Sequence, residues 1–83
     1  MKAGELYELR EVGDDSAEPE HIASLTAEAV LSKALTRACA ASRERQEGTW
    51  EVSLLPQTKD GFAELLYTVK TDSERNVTVE VAR

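Results

Sequence analysis

The 83 residues, 41% hydrophobic and 31% charged, make a single domain spanning 1–83 that is too small to enclose a large internal cavity. A formal net charge of −6 argues against direct contact with nucleic acid and favours a partner with a basic surface. No apolar run approaches the roughly 20 residues of a membrane span, and the opening Met1-Lys2-Ala3-Gly4-Glu5 lacks the apolar core of a secretion signal. The expected location is the cytoplasm, away from membranes.

Residues 5–12 mix leucine, tyrosine and valine with alternating charges, which predicts a strand with Tyr7 and Leu9 on one face; Leu6 and Val12 break the alternation. Residues 13–19 are rich in glycine, aspartate and proline and read as a linker. Glu20 to Ala23 then returns antiparallel to the first strand. The excess acid lies in this first third, where Lys2 and Arg10 face Glu5, Glu8, Glu11, Asp14, Asp15, Glu18 and Glu20.

From Thr26 to Gln46 the spacing predicts one amphipathic helix. Thr26 is a suitable N-cap because its hydroxyl accepts from a first-turn N–H, and Leu25 and Val30 have the spacing of a hydrophobic staple. At about 100° per residue, Ala27, Val30, Leu31, Ala34, Leu35, Ala38 and Ala41 share the inner face. So many alanines bring the helix backbone close to whatever it covers, and the core volume must come from strands. Gly48 is the expected stop.

After Gly48 the period falls from about 3.6 to about 2. Trp50, Val52 and Leu54 point one way against Glu51 and Ser53, and Pro56 to Gly61 is a loop. Phe62 to Thr71 follows as a strand with Ala63, Leu65, Tyr67 and Val69 inward, which leaves Phe62 and Leu66 on the helix-free face. After a turn over 71–76, Val77, Val79 and Val81 alternate with Thr78 and Glu80. The fold class is α+β: one antiparallel sheet of four to five strands in the order β(β)αβββ, with a single helix on one face.

The residues that carry chemistry are sparse. His21 is the only histidine and has no second ligand at metal-binding spacing; Cys39, the only cysteine, falls on the helix flank as a small half-buried side chain and excludes an internal disulfide. Asp14 and Asp15 stand in a loop without apolar walls to raise a pKa, the four glycines are isolated, and Asn76-Val77-Thr78 is a weak glycosylation signal. The expectation is a non-enzymatic protein with no catalytic, cofactor or metal residues.

Met1-Lys2-Ala3, Leu9-Arg10-Glu11-Val12, Ile22-Ala23-Ser24-Leu25-Thr26 and Gly48-Thr49 together resemble small phage-encoded anti-CRISPR inhibitors of the type I-F surveillance complex. The likeness covers about half the chain in short pieces. It implies the β(β)αβββ fold and inhibition by occupying the surface where the Cas complex holds target DNA. The basic helix residues of that family fall where this chain has Ala29 and Val30, so none of the family's contact residues transfers. The acids Glu8, Glu11, Asp14, Asp15, Glu18 and Glu20 become the expected contacts with a basic groove of a larger protein or complex. Phe62 and Leu66 are the expected contacts for the alternative, an accessory or oligomerisation domain that forms homodimers through its sheet.

Overall fold

The computed structural model describes residues 4–13, 18–56 and 60–82. Period-two segments form β1 (Glu5–Glu11), β2 (Glu20–Ser24), β3 (Gly48–Leu54), β4 (Glu64–Thr71) and β5 (Val77–Val81), and the period-3.6 segment forms α1 (Ala27–Arg43). The strands make one antiparallel five-stranded sheet in the order β2-β1-β3-β4-β5. β1 and β3 pair although the helix separates them in sequence, so α1 is laid across the face that the two share.

Tyr7 and Leu9 of β1, Trp50 and Val52 of β3, and Val69 of β4 point to that face and bury themselves against Val30, Ala34 and Ala38 of α1. The alanines are fully buried and let the helix backbone approach the sheet. Leu9, Val30, Val52 and Val69 supply the bulk, each worth about 1.5–3 kcal/mol on burial.

The helix begins as its sequence demands, with the Ala29 N–H donating to the Thr26 hydroxyl at 3.4 Å. It does not end at Gly48. Arg45 adopts the left-handed region at φ 55, the Gln46 N–H donates to the Ala41 carbonyl at 3.0 Å, and the Arg45 N–H donates to the Ser42 carbonyl at 3.0 Å. That is a Schellman closure, formed three residues earlier than glycine placement suggests. Gly48 serves β3 instead: a Cβ there would come within 2.6 Å of the Trp50 ring, so the absent side chain makes room for the indole.

β4 corrects the simple alternation. Val52 pairs with Tyr67 but Ser53 pairs with Leu65, so the intervening Leu66 is an extra residue in a β-bulge. The bulge turns Leu66 as well as Tyr67 toward the core, where both pack partly buried against it, and sends Leu65, 38% exposed, to the helix-free face. Ala63 is exposed and precedes the strand, as does Phe62, which is 93% exposed. Phe62 and Leu66 therefore do not share an outer face.

The β4–β5 connection is closed by one side chain. Asp72 Oδ1 accepts from the backbone N–H groups of Glu74 and Asn76, both at 2.9 Å, and Oδ2 accepts from Asn76 Nδ2 at 2.9 Å. This lets Arg75 hold φ 69 in the turn.

Candidate interaction surface

The antiparallel register gathers the two ends of the sheet very differently. Glu11 lies opposite Trp50, Gly48 opposite Thr71, and Thr71 opposite Val77, while the Thr71 hydroxyl donates to the Gln46 carbonyl at 2.9 Å. One end of the domain thus collects the close of β1, the opening of β2, the α1–β3 connection and the β4–β5 turn. Glu11, Glu18, Glu20, Glu44, Glu47, Asp72 and Glu74 all stand there, with Arg37, Arg43, Arg45 and Arg75 as cations beside them.

The six acids expected to act together are divided by the fold. Glu11 and Glu20 project on the helix side of the sheet, since they follow Tyr7–Leu9 and pair with Leu9 in alternation. Glu20 is ion-paired with Arg37 of α1, which ties β2 to the helix. Glu8 projects to the opposite face, 3.5 Å from His21 Nε2. Glu18 is exposed, and Asp14 and Asp15 lie outside the described residues. The acids that sequence reading missed, Glu44, Glu47, Asp72 and Glu74, are remote in the chain; drawing the strands as a meander brings their turns to the same end as the first hairpin.

The helix-free face is polar and compensated in charge. Arg10 Nη2 meets Glu51 Oε1 at 3.0 Å and Lys70 Nζ meets Glu80 Oε1 at 3.5 Å, each pair linking neighbouring strands. Exposed pairs of this kind contribute less than about 1 kcal/mol each, and they leave this face without a strong field of one sign.

His21 and Cys39, which the sequence singles out for chemistry, lie on separate elements at the surface. Cys39 is exposed rather than half-buried, and His21 is exposed. Burial, and then the neighbouring Glu5 carboxylate, push the Tyr7 hydroxyl above its ordinary range, so at neutral pH it stays protonated and donates to Glu5 Oε2 at 3.3 Å. Among the described residues no group of three His, Cys, Asp or Glu side chains is placed to hold a metal ion, and no buried side-chain nitrogen or oxygen lacks a partner. A depression of about 290 Å³ beside Phe62 is lined by Glu5, Leu54, Leu55, Pro56 and Glu64. No described helix is long and apolar enough to cross a membrane.

No protein-family model, curated protein or solved structure matches this chain.

Proposed function

We propose that this protein is a non-enzymatic, acidic binding module that docks on a basic surface of a larger protein or complex, with the acidic end of its sheet as the contact. The observation that supports the reading is the convergence at one end of acids from three separate connections, while the broad helix-free face has its charges paired across strands. A net negative balance of this kind raises the association rate toward an oppositely charged groove and discriminates among partners. The resemblance of the N-terminal segments names one such partner, a type I surveillance complex whose DNA-holding surface is lined by cations. Inhibition then consists of occupying that surface in place of DNA.

The test is surface plasmon resonance on immobilised type I-F surveillance complex at low and near-physiological salt, with the parent chain and a Glu18→Lys, Glu47→Lys, Glu74→Lys variant. The expected result is binding whose association rate falls with salt and is slower for the variant, most of all at low salt. No binding by the parent removes that complex as the partner. Equal association rates for parent and variant at low salt remove the acidic end as the contact.

A further inference from the structure

Among the described residues, β5 has one neighbour in the sheet, β4. The direction of its backbone groups follows from hydrogen bonds at its two ends. The Asp72 N–H donates to the Asn76 carbonyl at 3.2 Å, and the Ala82 N–H donates to the Leu66 carbonyl at 3.0 Å. Both bonds continue the register that sets Lys70 opposite Thr78, so Asn76, Thr78, Glu80 and Ala82 turn their N–H and C=O groups toward β4. Val77, Val79 and Val81 turn theirs to the open side.

The side chains of the same valines stand on the helix side, opposite Thr71, Val69 and Tyr67. Val69, the partner of Val79, is fully buried and Thr71, the partner of Val77, is buried, yet Val77, Val79 and Val81 are 37%, 40% and 62% exposed. The reason is the placement of α1, which lies chiefly over β3 and β4 and reaches β5 only at its margin. A depression of about 210 Å³ between Ala27, Leu66, Tyr67 and Val81 marks that margin.

An open ladder of backbone groups with an apolar side chain at every second residue calls for an occupant that is itself an extended strand of the same pattern. We infer that β5 pairs antiparallel with β5 of a second copy of this chain, about a two-fold axis at Val79. Val79 then faces Val79 of the second copy, and Val77 faces its Val81. All three valines use their outward groups, giving about six backbone hydrogen bonds across the junction. The two sheets become one, both helices stand on the same face, and the valines floor the groove between them.

The polar face selects this register. Centred at Val79, Glu80 faces Thr78 of the second copy, whose hydroxyl can donate to the carboxylate. Centred at Glu80, two carboxylates oppose each other; centred at Thr78, Val81 faces Arg75 and the valine pairing is lost. Antiparallel pairing also sends the acidic ends of the two copies in opposite directions, so their fields do not oppose association. This self-pairing goes beyond docking through the acidic end and does not depend on it.

Sedimentation velocity on the intact chain, from micromolar to millimolar concentration, tests the inference. The parent is expected to pass from monomer to dimer. Val79→Pro removes an outward N–H while leaving the β4–β5 ladder intact, and is expected to stay monomeric throughout. Thr78→Glu sets carboxylates opposite each other at two symmetric places and is expected to weaken the dimer roughly tenfold; adding Glu80→Lys to it restores pairing through opposite charges. A parent that is monomeric at millimolar concentration overturns the proposal, as does a folded Val79→Pro variant that still dimerises. Should Val79→Pro fail to fold by circular dichroism, the Thr78→Glu pair decides: dimerisation unaltered by Thr78→Glu, or no rescue by Glu80→Lys, overturns the Val79 register.

Discussion

β2 and β5 are both five-residue strands with a single neighbour among the described residues, and their open sides are built in opposite ways. The Leu55 N–H donates to the Leu6 carbonyl and the Val12 N–H to the Thr49 carbonyl, so the even-numbered residues of β1 face β3 and the odd-numbered ones face β2. By the β1–β2 register, Glu20, Ile22 and Ser24 are then turned inward to β1, and the open ladder of β2 consists of His21 and Ala23. Pro19, with no N–H, stands before it, and after it the Ser24 hydroxyl accepts the Thr26 N–H at 3.2 Å and turns the chain into the helix. Glu20 is ion-paired to Arg37 and His21 meets Glu8.

Charge, proline and a short run are the usual guards of a sheet edge, and β2 has all of them. β5 offers valines at each outward position and a lone charged residue, Glu80, which is occupied with Lys70. An alanine-rich helix covers a narrow strip of the sheet. It seals β3 and β4 tightly and is joined to β2 by an ion pair, while the last strand keeps its apolar face uncovered.

The largest expected contrast is in stability. Leu9→Ala, in the strand beside β2, leaves a cavity under the helix and should cost about 2–5 kcal/mol, whereas Val79→Ala in β5 should cost less than about 1 kcal/mol in the monomer. Urea melts at low protein concentration measure both; equal losses would mean that β5 belongs to the core after all. A second contrast comes from making the guarded edge resemble the open one. Glu20→Val with His21→Thr gives β2 an apolar, uncharged edge, so each chain then carries two adhesive sides. Light scattering should show open-ended growth rather than dimers, and an unchanged mass would show that the charges on β2 are not its guard.

A smaller effect is expected at the tie between β2 and the helix. Arg37→Ala should cost about 0.2–1 kcal/mol because the pair with Glu20 is half exposed and screened, and the loss should shrink as salt is added. A salt-independent loss would assign the effect to packing of the arginine stem. The smallest lies in the turn that carries β5. The Asn76 side-chain amide, and then its backbone N–H, hold the Asp72 carboxyl below its ordinary range. A depressed carboxyl stabilises the fold above the unfolded-state value and loses that contribution as the pH falls through the lowered one. The Thr78 and Glu80 amides, which face β4, should therefore lose hydrogen-exchange protection on acidification through the carboxylate range, and Asp72→Ala should abolish that pH step; the same step in the variant would place its origin elsewhere.

Much of this architecture is legible in the residues. Tyr7, Leu9, Trp50 and Val52 announce their strands by alternation, and Thr26 with Val30, Ala34 and Ala38 announces the helix, because these signals are local and agree with the packing that follows. The bulge at Leu66 is not legible, since an extra residue in one strand shows only against its partner, and Leu65 and Leu66 are chemically alike. The helix stop is hidden for a similar reason: Arg45 accepts a left-handed conformation that glycine composition assigns to Gly48. The acids of the first hairpin stand out in the chain, but their neighbours Glu47, Asp72 and Glu74 become visible only through strand register. The exposure of Val77, Val79 and Val81 depends on how far a helix reaches across a sheet, which no alternation pattern encodes.

Amide hydrogen exchange by NMR at two protein concentrations, low and near-millimolar, reads both edges in one experiment. The Val77, Val79 and Val81 amides are expected to exchange freely in dilute solution and to gain protection as concentration rises, while His21 and Ala23 on the opposite edge remain unprotected at both. Protection of the three valine amides that is independent of concentration, or a gain that appears at His21 and Ala23 as well, would contradict the claim that β5 is the open, self-pairing edge of this fold.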